Sequence, residues 1–421
     1  MAANIRETGL NDKLRILLSA YACEPEKGSE PGVGWNWTLA LARMGHDVTV
    51  LTRENNCETI TSAAEIRGFE NLHFIYYDLP RWARRFKKGG RGVNLYYRLW
   101  QIGAYLKVRR SFDARAFDVV QHLTFGTFRH PSFMWRLGVP FVLGPVGGGE
   151  ATPPLLMQSY PLRGRITDSW RALSTFLAKY DPLVRQCFQH AAVIFCATKE
   201  TLACVPVAER VKCALYQDFY ASEELILREP TANPPTPRFL YVGRQLYWKG
   251  IHLALQAFAL LRLTHPDATL TIHGRGPDRD WLHKMAEGLG INDAILWSER
   301  NVTEKQLYDL YRKHTAFVFP SMHDACGAVV IEALSQGLPV ICLDTGGPGQ
   351  ILPEKCGFKV AVAKRSQTEV VSGLAAAMRQ FADNPDLHAK MSPLALMTAR
   401  EITWDKVVSR AYQHVLDALH G

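Results

Sequence analysis

A chain of 421 residues exceeds what one ordinary hydrophobic core organises, so two domains are expected, and 47% hydrophobic against 21% charged residues excludes a disordered or fibrous protein. Nine cysteines, odd in number and without a C-x-x-C pair, exclude a disulfide framework and read as free thiols of a reducing compartment. The net charge of +9 is concentrated rather than spread, which directs attention to one segment of the surface.

In chain order, Met1 to Lys13 is polar and lacks the apolar region of a secretory signal. No stretch approaches the roughly 20 apolar residues of a membrane span, so a cytoplasmic location is expected. The first half carries strand-like runs at Leu14–Ala20, Val48–Thr52, Phe74–Tyr77, Val119–His122, Pro140–Leu143 and Ala192–Ala197, with helical patterns between them. After the first run, Gly28-Ser-Glu30-Pro-Gly32-Val-Gly34 forms a glycine-rich turn into a helix. Its spacing is not G-x-G-x-x-G, and Arg53 stands where a nicotinamide site would want an acidic ribose ligand. Between Arg81 and Arg110 lie ten Lys or Arg and no acid, interleaved with Trp82, Phe86, Tyr96, Tyr97, Trp100 and Tyr105. This pattern reads as a site for an anionic membrane surface, with an ordinary solvated helix and then nucleic acid as the alternatives. His122 ends its strand, where a structural role competes with chemistry. The run Gly144-Pro-Val-Gly147-Gly148-Gly149-Glu150 follows the next strand and can bring backbone amides to a ligand.

The proline-rich stretch 228–237 reads as an extended linker. Expected boundaries are 1–216 for a first Rossmann-like domain, 217–238 for the linker, 239–400 for a second Rossmann-like domain, and 401–421 for a helix returning to the first. Strand-like runs of the second half are Phe239–Val242, Ala268–His273, Ala294–Trp297, Ala316–Pro320, Val340–Leu343 and Phe358–Val360. The fold class is therefore α/β, with two doubly wound sheets.

The densest chemical signal is Pro320-Ser-Met-His-Asp324-Ala-Cys326-Gly327-Ala328-Val329-Val330-Ile-Glu332. A helix beginning near Gly327 offers unsatisfied amides and a positive dipole end to a diphosphate. On a continuous helix Asp324 and Glu332 would stand about 12 Å apart, so they bracket a ligand rather than form an acid pair. A cap at Asp324 with a solvated Glu332 is the alternative. The run resembles the E-x7-E motif of family 4 retaining glycosyltransferases, with aspartate at its first carboxylate. Tyr241-Val-Gly243-Arg244-Gln-Leu-Tyr-Trp-Lys249-Gly250 is similar to that family's first loop of the second domain.

The resemblance implies a GT-B fold, two Rossmann-like domains facing a cleft, and a role for each matching residue. Asp324 meets the donor sugar, Cys326 to Val330 bind the diphosphate, and Glu332 holds the ribose. Arg244 and Lys249 beside Gly243 neutralise the departing diphosphate in place of a metal. Arg275, in His273-Gly-Arg-Gly-Pro-Asp278-Arg-Asp280, lies on the donor side, and its D-x-D reads as a helix start rather than a metal site. Arg300, Asn301 and Val302 fall where backbone meets the nucleobase. Gly32 and Gly34 approach the diphosphate, while Glu30, Gly147, Gly148, Gly149 and Glu150 face the acceptor. The family's usual histidine after the Pro140–Leu143 strand is missing here, and His122 is the nearest substitute. What the resemblance implies is transfer from a UDP- or GDP-sugar to a glycan or lipid-linked glycan, with retention, no metal or other cofactor, and no nucleic-acid partner. A nucleotide-sugar epimerase of the same architecture and a catalytically idle carbohydrate-binding scaffold remain open beside it.

Overall fold

The computed structural model describes residues 13–84 and 92–420. The first sheet contains β1 (Arg15–Ala20), β2 (Asp47–Arg53), β3 (Leu72–Tyr77), β4 (Val119–Thr124), β5 (Phe141–Val146), β6 (Ala191–Cys196) and β7 (Cys213–Leu215), ordered β3-β2-β1-β4-β5-β6-β7. A second sheet contains β8 (Arg238–Val242), β9 (Thr269–His273), β10 (Ile295–Ser298), β11 (Ala316–Phe319), β12 (Val340–Leu343) and β13 (Gly357–Val360), ordered β10-β9-β8-β11-β12-β13. All pairs run parallel, and the order reverses between β1 and β4 and again between β8 and β11, where doubly wound sheets open their ligand crevices. Every strand expected from the sequence is present; β7, only three residues long and half-exposed, is additional.

Strand runs without polar alternation are explained by burial on both faces. One face of the first sheet packs Val48, Val50 and Phe195 against Trp37 and Leu41 of the Ser29–Arg43 helix and against Val408, Tyr412 and Val415 of the Trp404–His420 helix. The other face packs Tyr97 and Trp100 with Phe188 and Leu143. The terminal helix thus returns to the first domain. Its chain crosses beside the outgoing one, where Ala221 N–H donates to Ile402 O at 3.1 Å and Trp404 N–H to Ala221 O at 3.1 Å. The linker lies on the second domain, with Leu227 N–H donating to Ser335 O at 2.8 Å. One excursion departs from the expected boundaries: Leu156 and Tyr160 leave the first domain and join the core of the second.

The basic aromatic segment requires a correction. In the Val93–Ser111 helix, Tyr96, Tyr97, Trp100 and Tyr105 are buried, so the rings form core instead of a membrane face. The outward stripe is Leu95, Leu99, Ile102 and Leu106. Trp82 is exposed, Arg84 pairs with Glu54, and Arg85, Phe86, Lys87, Lys88 and Arg91 lie outside the described residues. All nine cysteines are free thiols.

Tyr412 donates its hydroxyl to Gln121 Oε1 at 2.6 Å in the core beneath the returning helix. Tyr412→Phe leaves that amide oxygen unsatisfied at nearly constant volume, so the denaturation midpoint should fall by an amount corresponding to about 1–3 kcal/mol. An unchanged midpoint would show that this hydrogen bond does not contribute to holding the returning helix.

Candidate functional site

Four adjacent strands, β10, β9, β8 and β11, end on one edge and carry the donor-side candidates in their following loops. Gly243 and Arg244 follow β8, Arg275 follows β9, Arg300 to Val302 follow β10, and Asp324 to Gly327 follow β11. Arg244, Arg275, Arg300 and Asn301 are exposed and Val302 is half-buried. Arg275 donates through Nε to the Glu299 carbonyl.

Lys249 forms an ion pair with Asp324, both side chains only about one-fifth exposed, and its ammonium lies 5.2 Å from the Phe319 ring centroid. The loops meet this closely because Gly250, at φ 72°, has no side chain: a Cβ there would stand 1.9 Å from Pro320 O. Left-handed Gly327, at φ 76°, opens the Ala328–Ser335 helix, and on that helix Glu332 Oε2 accepts the Tyr311 hydroxyl at 2.9 Å. Burial pushes the Glu332 carboxyl up to about 7. Asp324 thus lies in the loop before the helix and Glu332 inside it, one turn from its start. Asp324 does not cap it: its carboxylate is taken by Lys249, and its carbonyl accepts Gly347 N–H at 2.8 Å. Glu332, with Glu304, Tyr308, Gly28, Trp35 and Trp404, lines a cavity of about 750 Å³ between the domains.

In the D-x-D, Asp278 Oδ2 accepts the Tyr247 amide at 2.8 Å across the loop instead of capping its own helix, and Asp280 sits beside Arg279 at 3.3 Å. The two carboxylates thus serve different partners.

On the first-domain side several expectations change. Gly32 and Gly34 belong to the Ser29–Arg43 helix and are buried; a Cβ on either would meet a backbone oxygen, of Lys27 or Ala22, at 2.1 Å. They seat the helix on its own lead-in loop rather than approach a diphosphate. The amides of the glycine run are all spent internally: Gly147 N–H on Gly126 O at 2.8 Å, Gly148 N–H on Glu150 Oε2 at 2.9 Å, Gly149 N–H on Thr201 Oγ1 at 3.0 Å. Glu150 is equally committed, since its Oε1 also accepts the hydroxyls of Thr198 and Thr201 at 2.6 and 2.8 Å. Both are organisers of the β5 and β6 ends, so the reading of these four residues as acceptor contacts is corrected. His122 is buried, 3.3 Å from the Tyr97 hydroxyl, with burial lowering its pKa to about 4; it belongs to the core beside Phe125.

Glu30 keeps a cleft position. Its Oε1 accepts Gly126 N–H at 2.6 Å, and desolvation, with Asp218 nearby, lifts its carboxyl to about 7. Asp218 lies in the linker and has no sequence pattern to announce it. It converges on Gly126 beside Glu30, touches the Cys326 thiol, leaves Oδ1 buried without a partner, and is pushed by burial to about 6. Around it the domains touch: a Cβ on Gly147 would come within 2.6 Å of Ala325 Cβ, and Glu200 Oε1 accepts Gly346 N–H at 3.1 Å.

This arrangement of two doubly wound domains about a cleft is the GT-B fold. Solved structures with the same arrangement include the lipopolysaccharide outer core galactosyltransferase WaaB, at TM-score 0.63 and 12% identity over 96% of this chain and 99% of that one. Sucrose-phosphate synthase from Thermosynechococcus elongatus matches at TM-score 0.63 and 15% identity over 96% and 99%. Residues 222–395, the half that carries the Lys249–Asp324 pair and Glu332, match the family model described as glycosyl transferases group 1. Curated relatives include glycogen synthase of Mycobacterium tuberculosis, 33% identical over 46% of this chain and 45% of that one. D-inositol 3-phosphate glycosyltransferase of Streptomyces scabiei is 30% identical over 43% and 41%. The chain thus spans about half the length of the curated relatives it matches.

The raised carboxyls give a signed pH dependence of stability. At pH values between the ordinary carboxylate range and about 7 the folded protein keeps the Glu30 proton while the unfolded chain has released it, so this group opposes folding more as pH rises and fully above 7. Glu30→Gln, which retains an oxygen for Gly126, should raise the melting temperature relative to wild type near pH 8 and leave it unchanged near pH 4. Equal shifts at both pH values would contradict the burial of an ionisable group there.

Proposed function

We propose that the chain is a family 4 type retaining glycosyltransferase that moves a sugar from a UDP- or GDP-sugar to a glycan or lipid-linked glycan at the cytoplasmic face of a membrane. The observation that carries this reading is the Lys249–Asp324 pair held over a glycine-led helix start, with Glu332 eight residues on. Among the described residues no helix is long and apolar enough to cross a membrane. Structures of similar fold include one described in complex with UDP and glucose, which supports a nucleotide-sugar donor.

In the proposed reaction the diphosphate lies against Arg244, Lys249 and the Gly327 helix start. Charge develops on the β-phosphate oxygen that carried the sugar as its bond to the anomeric carbon breaks, and preorganised cations and amides stabilise that charge most strongly in the transition state. Lys249 turns from Asp324 to the phosphate, which frees Asp324 for the sugar hydroxyls. Glu332 accepts from the ribose. The acceptor hydroxyl attacks from the face the diphosphate leaves and gives its proton to the departing phosphate oxygen, so configuration is retained without a separate base. Two cations and a helix terminus supply the charge a divalent metal would otherwise bring.

A specific observation favours one alternative. Glu30 and Asp218, carboxyls lifted to about 7 and 6 beside the cleft, are a pair that an epimerase could use to move a proton. Donor conversion without any acceptor identifies that case.

Lys249→Ala and Arg244→Ala should each reduce turnover by about 10²-fold or more with the fold preserved, as expected for loss of a fixed charge at a leaving group. Near-normal turnover at saturating donor removes that residue from the mechanism. Activity should also survive EDTA; full loss restored by Mg²⁺ or Mn²⁺ would overturn the metal-independent reading.

A further inference from the structure

The Leu162–Ala178 helix is amphipathic in the inverted sense. Leu162, Ile166, Trp170, Leu173, Phe176 and Leu177 are exposed, Trp170 at 68%, while Gly164, Asp168 and Ala178 face inward. At 100° per residue the exposed apolar positions fall within a stripe about 120° wide, the width of a face that normally seeks a core. Arg163 and Arg165 flank it, both exposed. Beside this helix runs Val93–Ser111 with its outward stripe of Leu95, Leu99, Ile102 and Leu106. Two exposed apolar stripes on helices that border one groove are far more than the scattered exposed residues of an ordinary soluble domain.

Between the helices lies a groove of about 760 Å³, lined by Arg98, Arg129, His130, Trp170, Arg171 and Leu177 among others. Its cations are not neutralised in the usual way. Arg98 donates to His130 Nδ1 at 3.3 Å and to Arg129 O at 3.4 Å, and Arg129 donates to Thr175 Oγ1 at 3.2 Å; neither is in an ion pair among the described residues. Arg171 stands loosely, 3.9 Å from Asp168 and 4.0 Å from Glu150. Among the described residues the one acid on the groove wall, Asp181, spends its Oδ1 on the Leu183 amide as a helix cap. Burial and the neighbouring Arg171 lower the pKa of Arg129, and burial with Arg98 and Arg129 lowers that of His130 to about 4. A cluster of guanidiniums held together against repulsion, with apolar stripes on both rims, is complementary to an anion that carries hydrocarbon.

We propose that this groove binds the phosphate-bearing head of a membrane lipid, with Arg98, Arg129 and Arg171 on the phosphate and the acyl or prenyl chains along the two stripes. Its inner wall is the 125–130 loop, whose Gly126 is held by Glu30 in the cleft on the other side. The head therefore lies one loop away from the reaction centre, and the lipid is the carrier of the acceptor. That last step rests on the transferase reading; the lipid binding does not.

The test is flotation of the full chain with vesicles of phosphatidylcholine alone, with phosphatidylglycerol, and with phosphatidic acid at matched surface charge. Alongside it, the thermal shift given by UDP and GDP is measured on every protein. The expected result is binding to phosphatidic acid vesicles about tenfold tighter than to phosphatidylcholine, with phosphatidylglycerol between. Trp170→Ser with Leu177→Ser should lose binding to all three, both positions being exposed. Arg98→Gln with Arg129→Gln should lose the preference for phosphatidic acid, and the nucleotide thermal shift should be unchanged in both variants. No flotation of wild type, no preference for phosphatidic acid over phosphatidylglycerol, or equal flotation of the variants overturns the proposal. So does loss of the preference for phosphatidic acid vesicles when soluble glycerol 3-phosphate is added at equal phosphate concentration, which would assign the groove to a free phosphate. Failure of UDP and GDP to stabilise the wild type sinks the transferase reading while leaving the lipid result to stand or fall by itself.

Discussion

The ion pair between Lys249 and Asp324 is the interaction on which the cleft-facing rim of the second domain depends. It spans the ends of β8 and β11, and the loops it joins are locked by further contacts: Gly250 under Pro320 O, and the Asp324 carbonyl accepting the Gly347 amide that follows β12. Three strand ends thereby become one rigid rim. A partly buried pair of this kind costs desolvation nearly equal to its Coulomb gain, so it contributes geometry more than stability, and loss of one partner leaves an uncompensated charge. On the proposed reading the pair is also a placeholder, in which the aspartate occupies Lys249 until a diphosphate does.

Contacts across the cleft are of a different kind. Glu200 on Gly346 N–H, Gln217 Nε2 on Gly347 O at 3.3 Å, Lys199 N–H on Gln350 Oε1 at 3.3 Å and Asp218 against Cys326 are polar and local. Interfaces of this composition are the ones across which domains move. The desolvated carboxyls of Glu30 and Asp218 work in the same direction, because their burial opposes closure at any pH at which an opened cleft would ionise them.

Strands were legible in the sequence because both faces of each sheet are covered, which makes the apolar runs continuous. The β7 strand was not, being three residues with one exposed and two half-buried. The Asp324 to Glu332 helix start was legible because glycine, spacing and the preceding strand agree at one place. Glu150 and the Gly147 to Gly149 amides were misassigned for a physical reason: a polar group after a strand reads alike whether it meets a ligand or Thr198 and Thr201, which lie 48 and 51 residues away in the chain. Asp218 was invisible since its neighbourhood is assembled from both domains. In the 81–110 segment charge and aromatics were seen correctly, but the helical phase that turns Tyr97 and Trp100 inward and Leu95 and Leu99 outward decides which of them can meet another surface.

The outward helix and the rim that carries Lys249 and Asp324 are mechanically connected. Just before that helix, Ser159 meets His252 at 2.8 Å and Tyr160 packs edge-on against Tyr247 at 4.7 Å, so its start is anchored to the second domain. Further along, Asp168 lies 3.1 Å from His323, which stacks on Trp248 at 5.4 Å and 15°. His323 and Trp248 are the chain neighbours of Asp324 and Lys249. A helix with one face toward solvent and the other on the residues flanking the ion pair cannot shift without moving that rim or breaking the Asp168 contact. Contacts alone do not make a switch, since coupling requires an element with two states that both sites bias. Opening of the cleft would be such an element, and the Leu162–Ala178 helix, anchored across it through Tyr160 and Asp168, would then have to travel with the loops that carry Lys249 and Asp324 or let them go.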